Sequence, residues 1–401
     1  MHNKRYYPTA MALYFTYFIH GIGVSILGQY KQNFAGMWGA NALADGSFDV
    51  SVVISVIAAL GLGRLVALLF SGTISDRFGR RVSGLIGAAC YAVYFVGIVL
   101  SASVYAAYVF ALIGGAANSF LDTCVTPSCL EIFADAGDVA NMFTKFAMSI
   151  GQFLLPFMIS FVAANKMPYS TIFLLAAGLI IIDGILIAFM PFPPKNRVHK
   201  EKIVSKIESK KIKFTPLSIA VICIGFTSTA TFQLWLNCNQ ELGKLYGLTD
   251  PSKIQSFYSA GTVAAILATS VIVKKFIKPI RILVIYPVIS TIMLLVVYLV
   301  QVPVICLIGG FVIGYAAAGG VLQLAVSTAN SLFPESKGKI TSIVMIASSI
   351  ANYVILNIAG LITKASGAYG PKYILLFNAA ITIVGILLAL FVNKQYEKEA
   401  V

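Results

Sequence analysis

The chain has 401 residues, 59% of them hydrophobic and only 11% charged, with a formal net charge of +14 and a mean hydropathy of +0.88. A water-soluble chain carries about 25% charged residues, so a water-facing surface over most of this chain is excluded. The basic residues sit in short loops between apolar runs, with no Lys/Arg patch interleaved with aromatics on a polar domain, so the charge points to membrane topology rather than nucleic acid.

About 20 apolar residues span the hydrocarbon of a bilayer as a helix. Runs of that kind fall at 8–30, 50–72, 82–100, 103–131, 139–164 and 169–191, and again at 215–240, 253–273, 281–300, 302–333, 338–363 and 370–393. The first run is too long for a signal-peptide core and no small-residue cleavage site follows it, so it is expected to be the first membrane helix. The pattern predicts an all-α membrane protein with 12 transmembrane helices. These divide into an N-terminal six-helix bundle at 1–191, a basic linker at 192–214 and a C-terminal six-helix bundle at 215–401.

Orientation follows from Lys and Arg. With the N-terminus inside, 21 of them fall on inner segments, eight in the linker alone, and six on outer segments. Arg64 and Lys145 lie inside apolar runs. The bias predicts both termini on the cytoplasmic side of the membrane. The halves also repeat at a spacing near 200 residues. Leu130–Asp135 at the end of the fourth run corresponds to Asn330–Glu335 at the end of the tenth, and Asp76–Arg81 corresponds more weakly to Phe276–Arg281. Parallel repeats place a binding site near mid-membrane, between the halves.

Six cysteines, Cys90, Cys124, Cys129, Cys223, Cys238 and Cys306, lie in or at the ends of apolar runs and form no CxxC or Cys/His set. They read as small packing residues, so no metal site is expected. No nucleotide loop or nucleophile–base set stands out, so no cofactor is called for and an enzyme is not expected. A sensor would need an output domain, and the longest polar stretch is only 192–214.

Between the second and third runs stands Gly72-Thr73-Ile74-Ser75-Asp76-Arg77-Phe78-Gly79-Arg80-Arg81. It resembles the GxLxDRxGRR motif of the major facilitator superfamily, in the same place on the chain. The resemblance implies that fold, with transport by alternating access and a structural and gating role for the motif. Gly72 is expected to allow close helix approach and Gly79 a tight turn. Asp76 is expected to accept hydrogen bonds from the next helix start. Arg77, Arg80 and Arg81 are expected to pair with carboxylates, with Glu131 as partner in the outward-open state. A plain positive-inside loop is the bland alternative.

Further stretches widen the likeness: Tyr7–Ala10, Tyr17–Gly23, Gly61–Leu65, Ala117–Asp122, Gly151–Pro156, Gly314–Gly320 and Lys337–Lys339. They are similar to the Ydi-type bacterial inner-membrane transporters, over nearly the whole chain. That group's association with quinate and shikimate metabolism implies a small cyclic hydroxy acid. The fifth run reads Gly151-Gln152-Phe153-Leu154-Leu155-Pro156 and lacks the paired glycines of proton-driven drug antiporters, which argues against antiport.

An ionisable group in the membrane interior costs at least about 2.5–3.5 kcal/mol on insertion scales. At about 1.5 Å per residue, His20, Arg64, Asn118, Asp122, Gln152, Gln323 and Asn352 all reach the middle of their helices. They are the candidate substrate-binding residues, and Asp122 the candidate proton-coupling group. In the resembled superfamily, helices one, four, seven and ten line the cavity, with two, five, eight and eleven beside them. Bland readings stand alongside: an internal ion pair for Arg64 and Asp122, packing for His20, interhelical glue for Gln152, Gln323 and Asn352. Lys145 is expected to snorkel, and Asp183 to lie at the periphery. Gln233, Trp235 and Asn237 are expected near an outer gate. Tyr315, Gly319, Gln323 and Ser327 form an i, i+4 stripe.

Arg64 and Lys145 against Asp122 leave one surplus positive charge, which suits an anionic or hydroxylated solute. The expected function is secondary active, proton-coupled uptake of a small organic acid or polyol, shikimate/quinate-like or sugar-like. The alternative is proton-antiport efflux of drugs or metabolites. The expected partners are a small-molecule substrate, a proton and the lipid bilayer, with no nucleic acid, and the chain is expected to be a monomer.

Overall fold

The computed structural model describes residues 4–43, 46–133, 137–193, 214–333 and 337–399. Most of the expected linker, 194–213, lies outside the described residues. Twelve long helices form the described chain. The first six are α1 (Tyr7–Gln29), α2 (Ser51–Phe78), α3 (Arg80–Leu100), α4 (Val104–Ile132), α5 (Gly137–Ala164) and α6 (Ser170–Phe189). The second six are α7 (Pro216–Leu245), α8 (Lys253–Lys275), α9 (Pro279–Leu299), α10 (Pro303–Leu332), α11 (Lys337–Ser366) and α12 (Gly370–Glu399). Their apolar spans are long enough to cross a membrane, and α11 and α12 form one continuous apolar run interrupted only by the turn Gly367–Tyr369. Exposed side chains such as Leu69, Phe161, Ile182, Leu267, Ile292 and Leu387 make the apolar outer surface that lipid requires.

Local chemistry explains the helix ends. α7 starts on a capping box between Thr215 and Ser218, with Pro216 in its first turn. α9 and α10 also start on proline. α2 runs past its expected end to Phe78 because Ser75, Asp76 and Arg77 stay helical until Gly79, whose φ of +104° only glycine adopts readily. α10 departs most from expectation. It is helical over Pro303–Ile313, widens to a π-turn over Gly314–Ala318, breaks at Gly319 and Gly320, and resumes over Val321–Leu332. The stripe Tyr315, Gly319, Gln323, Ser327 therefore does not share one regular face. Tyr315 turns to Tyr286 on α9, and Ser327 is exposed. A short helix, Lys31–Met37, follows α1 and was not expected from the apolar pattern.

Four close approaches of backbone to backbone set the scaffold. A Cβ on Gly63 of α2 would stand 2.0 Å from the Leu112 carbonyl of α4, and one on Gly115 of α4 would stand 2.1 Å from the Leu60 carbonyl of α2. In the second half, Gly261 of α8 meets the Phe311 carbonyl at 2.0 Å, and Gly314 of α10 meets the Tyr258 carbonyl at 2.0 Å. Those four positions correspond at the spacing near 200 that the sequence repeat shows. Small residues replace the missing hydrophobic drive between helices in lipid by letting backbones touch. Gly72, by contrast, has nothing within 4 Å of where a Cβ would stand. The expectation that Gly72 allows close helix approach is thus not met: that face of α2 looks onto open space.

One end of the molecule gathers the start of α1, the α2–α3 turn and the ends of α4 and α6. Tyr7 stacks on Phe133 at 5.2 Å, and Thr9 donates to the Pro191 carbonyl. This basic end carries Arg77, Arg80 and Arg81. At the opposite face the halves meet. The Lys31 ammonium, 1% exposed, reaches Glu241 Oε2 at 2.5 Å and also the Asn237 carbonyl, both on α7. Gln240 bonds Gln29 at 2.6 Å, Ser256 bonds the Phe153 carbonyl, and Tyr108 reaches Tyr353. Asn237 also packs on Gly28. The outer-gate expectation therefore finds Asn237 at this contact, with Gln233 bonded to it and Trp235 buried one helical face away. These hydrogen bonds between the halves, with that from Gln255 to Ser25, lie in the central and far portions of the molecule.

Candidate functional site

The close α2–α4 packing brings Arg64 and Asp122 together at mid-helix. Arg64 Nη2 lies 2.7 Å from Asp122 Oδ2, and the two side chains keep 17% and 24% of their exposure. The other carboxylate oxygen, Oδ1, accepts from the Tyr17 hydroxyl at 2.5 Å. Both oxygens are therefore occupied, one by a charge-assisted bond and one by a phenol. Arg64 Nε is buried and has no partner, so the guanidinium keeps a free donor.

α1 reaches this centre because Gly21 and Gly151 let it touch α5. A Cβ on either would stand 2.0 Å or 2.1 Å from a carbonyl of the other helix. His20 lies one turn beyond Tyr17. Its Nδ1 shares a hydrogen bond with the Tyr91 hydroxyl of α3, and its ring is 5.4 Å from that of Tyr17. His20 is thus both a buried, hydrogen-bonded group and a neighbour of the ion pair. Lys145 on α5 is half-buried, and its charge acts on both Asp122 and Arg64.

The other predicted residues distribute around this centre. Asn118 is half-buried one turn from Asp122, with no hydrogen-bond partner among the described residues. Asn352 on α11 packs against Gly61, three residues before Arg64, and its Oδ1 is buried without a partner. Gln323 likewise keeps a buried, unpartnered Oε1. Gln152 lies apart from the ion pair. It donates to Ser25 at 3.1 Å, and Ser25 also meets Gln255 of α8, so Gln152 joins helices across the contact between the halves. The structure thus brings His20 to the Arg64–Asp122 pair, with Asn118 one turn away and Asn352 at neighbouring Gly61, while Gln152 lies apart and Gln323 makes no contact with the pair among the described residues.

Two residues of the cluster escaped sequence reasoning, Tyr17 and Tyr91. Tyr17 is three residues from His20 on a helix already singled out, and that spacing was the available signal. Tyr91 lies on α3, which the superfamily resemblance does not place at the cavity, and nothing in its local sequence marks it. Asp183 also departs from expectation. It is not peripheral but 1% exposed, accepting from Thr16 of α1.

At the basic end the motif residues form a linked set. Arg80 bonds Glu131 at 3.2 Å and Asp76 at 3.4 Å. Arg81 donates to the Met190 carbonyl at 2.7 Å and lies over Phe192, while Arg77 lies over Phe78. The Arg80–Glu131 pair was expected in an outward-open arrangement. Here it stands while the face opposite the basic end is closed, because both partners belong to the first six helices and need no contact from the second six.

Two cavities lie away from the ion pair. One of about 150 Å³ sits at the far face, lined by residues that include Gln32, Phe48, Glu241, Lys244 and Pro371. One of about 10 Å³, room for a single water, lies among Thr227, Ser228, Thr231, Ser290 and Thr382. Among the described residues no group of three or more His, Cys, Asp or Glu could hold a metal ion.

Comparison with known proteins agrees with this architecture. The chain is 35% identical over 398 residues to the inner membrane transport protein YdiM of Escherichia coli strain K12, covering 98% of this chain and 96% of that protein. It is 34% identical over 397 residues to the MFS-type transporter YfkL of Bacillus subtilis strain 168, covering 97% of each. Among solved structures, a D-xylose-proton symporter superposes with a TM-score of 0.77 over 96% of this chain and 97% of that one, at 17% identity, which speaks to the fold alone. Residues 10–352 match the family described as Major Facilitator Superfamily. With twelve apolar helices, the DRxGRR turn between the second and third, and that match over most of its length, the chain belongs to the Major Facilitator Superfamily and is a multi-pass secondary active transporter of Ydi type.

Proposed function

We propose that this transporter carries a small polar organic acid or polyol inward together with a proton, by alternating access between its two bundles. The bundles are residues 1–191 and 215–401, joined by the basic segment 192–214, with both termini in the cytoplasm of a bacterial cell. The observation that carries this reading is the Arg64–Asp122–Tyr17 triad, a half-buried carboxylate at mid-helix with both oxygens taken. A substrate carboxylate that took Arg64 would strip Asp122 of its charge partner. A carboxylate left in that setting without a cation is relieved by binding a proton. Substrate and proton then enter the site together. Asn118, Gln323 and Asn352 supply neutral amides suited to hydroxyl groups, and His20 adds a ring nitrogen at the same level. Lys145 keeps the net charge of the site positive.

The names of its relatives are in keeping with this reading. YdiM is named as an inner membrane transport protein, and the structural neighbour is named as a proton symporter of a hydroxylated solute. The test is uptake into proteoliposomes under an imposed pH gradient, with labelled quinate, shikimate and xylose as probes, after a thermal-shift screen of the same compounds. Accumulation above equilibrium that collapses with a protonophore is expected for at least one. Extrusion of a lipophilic cation with no accumulation of any of the three would establish the efflux alternative instead. Orientation is checked by a reporter fused after Tyr396, which should be active only on the cytoplasmic side.

A further inference from the structure

Asp183 sits on α6 with 1% exposure, turned inward onto α1. Its Oδ2 accepts from the Thr16 hydroxyl, and its Oδ1 is buried without any partner. Away from the helix ends, the titratable groups on the helices packed against it are Tyr14, Tyr17 and His20 on α1, Cys90, Tyr91 and Tyr94 on α3, and Lys145 on α5. The polar ones are committed elsewhere: Tyr14 to the Ala140 carbonyl, Tyr17 to Asp122, His20 to Tyr91, Tyr94 to the Gly23 carbonyl. No cation stands within ion-pair distance of Asp183 among the described residues. Asp122 and Asp183 are thus opposites: one is fully partnered, the other holds a single hydroxyl.

The Thr16 hydroxyl shows how such a carboxyl is accommodated. It lies 3.1 Å from the Ala12 carbonyl and in hydrogen-bond contact with Asp183. A hydroxyl has one proton to donate. When Asp183 carries a proton, the acid donates to Thr16 and Thr16 donates to Ala12, so both contacts of the Thr16 hydroxyl are met. When Asp183 is ionised, Thr16 turns its proton to the carboxylate and releases Ala12. A buried carboxylate with one neutral partner is costly, so the site favours the loaded state until the surroundings change. Thr16 immediately precedes Tyr17, the donor to Asp122, and lies one turn from His20. A change of partner at Thr16 is therefore made on the helix that also holds the ion-pair cluster.

We propose that Asp183 is a second proton-binding site, separate from Asp122, whose loading is passed to α1 through the Thr16 hydroxyl. It goes beyond the coupling role given to Asp122 and stands whether or not that role holds. The test needs no substrate: infrared difference spectra of the purified full-length protein, recorded between acidic and alkaline buffer, read the C=O stretch of protonated carboxyl groups. A band that loses intensity at alkaline pH is expected. Asp183→Asn should abolish it, and Asp122→Asn should leave it in place. Thr16→Val should move it to higher frequency, as loss of a hydrogen bond does. If Asp183→Asn does not fold, the Thr16→Val shift carries the assignment. A pH-invariant band would mean a permanently neutral structural acid and overturn the proposal. So would the absence of any such band, its survival in Asp183→Asn, or an unshifted band in Thr16→Val.

Discussion

The contact between Lys31 and Glu241 gives a quantitative handle on the closed face. Lys31 is 1% exposed and Glu241 17%, and Lys31 is further held by the Asn237 carbonyl. Removing one partner of a buried pair leaves the other charge without compensation, at about 3–5 kcal/mol. When the face opens, Lys31 returns to water and the penalty vanishes, so the cost of Glu241→Gln falls on the closed arrangement alone. A shift of that size moves the closed-to-open ratio by roughly two to four powers of ten. The double variant Lys31→Met/Glu241→Leu leaves no stranded charge and should shift the ratio far less, since replacing a buried pair by apolar groups is often nearly neutral. Spin labels at Gln32 and Lys244 read the separation of the two halves at this face. Glu241→Gln should move the distance distribution to longer values, and the double variant should bring most of it back. Equal opening in both variants would refute the reasoning, because it would mean that the pair itself, rather than a stranded charge, sets the equilibrium.

Other perturbations follow from the same geometry. Asp122→Asn keeps a hydrogen-bonding group beside Arg64 and Tyr17, so exchange of substrate across liposomes should persist while accumulation driven by a pH gradient is lost; a folded variant that still concentrates substrate with unchanged pH dependence would falsify the coupling role. Gly115→Ala places a Cβ 2.1 Å from the Leu60 carbonyl and should cost about 1–3 kcal/mol or more by overpacking, lowering the unfolding temperature in a thermal-shift assay. Gly72→Ala meets nothing within 4 Å and should stay within about 0.5 kcal/mol of the parent, which makes it the control. Glu131→Arg breaks a pair whose side chains are 29% and 41% exposed, worth at most about 1 kcal/mol, so transport should fall while expression holds; equal loss of both would assign the pair to folding.

Much of this was legible in the sequence because a membrane imposes a coarse grammar. Apolar runs of about 20 residues, separated by basic turns, fix helices without any tertiary knowledge. The interior charges were equally legible, since each costs enough to need a reason. Arg64 and Asp122 could be named as partners from depth alone. What sequence could not show is which neighbour a polar group turns to. Tyr17 and Tyr91 look like ordinary aromatic residues until the helices are packed. Asp183 looked peripheral because the sixth helix faces lipid in the resembled superfamily, yet here it turns inward onto α1. The π-turn in α10 was hidden for a related reason. Gly314, Gly319 and Gly320 fit an apolar helix by composition, and only the approach of α8, with Gly314 against Tyr258 and Gly319 against Ala265, shows why the backbone widens there.

The repeat itself shows how scaffold and chemistry separate. Gly63 and Gly115 in the first half correspond to Gly261 and Gly314 in the second, and all four bring one helix backbone onto another. Carried along the same spacing, Arg64 corresponds to Thr262 and Asp122 to Val321. Thr262 does not look for a charge. Its single hydroxyl proton is shared between the Tyr258 carbonyl and the Gly314 carbonyl, the second of these at the start of the π-turn in α10. The second half therefore spends this position on holding an irregular helix, where the first half spends it on an ion pair. Among the described residues, every ionisable Asp, Arg, Lys or His at mid-helix depth belongs to the first six helices, and the second six offer Gln323, Asn352 and hydroxyls. On the proposed reading, a duplicated frame with charge in one half and neutral donors in the other gives proton handling to the first bundle. A solute with one charged end and one hydroxylated end would match that division. The same substitution at Thr262 and at Arg64 should then affect different properties, helix geometry in one case and pH dependence in the other.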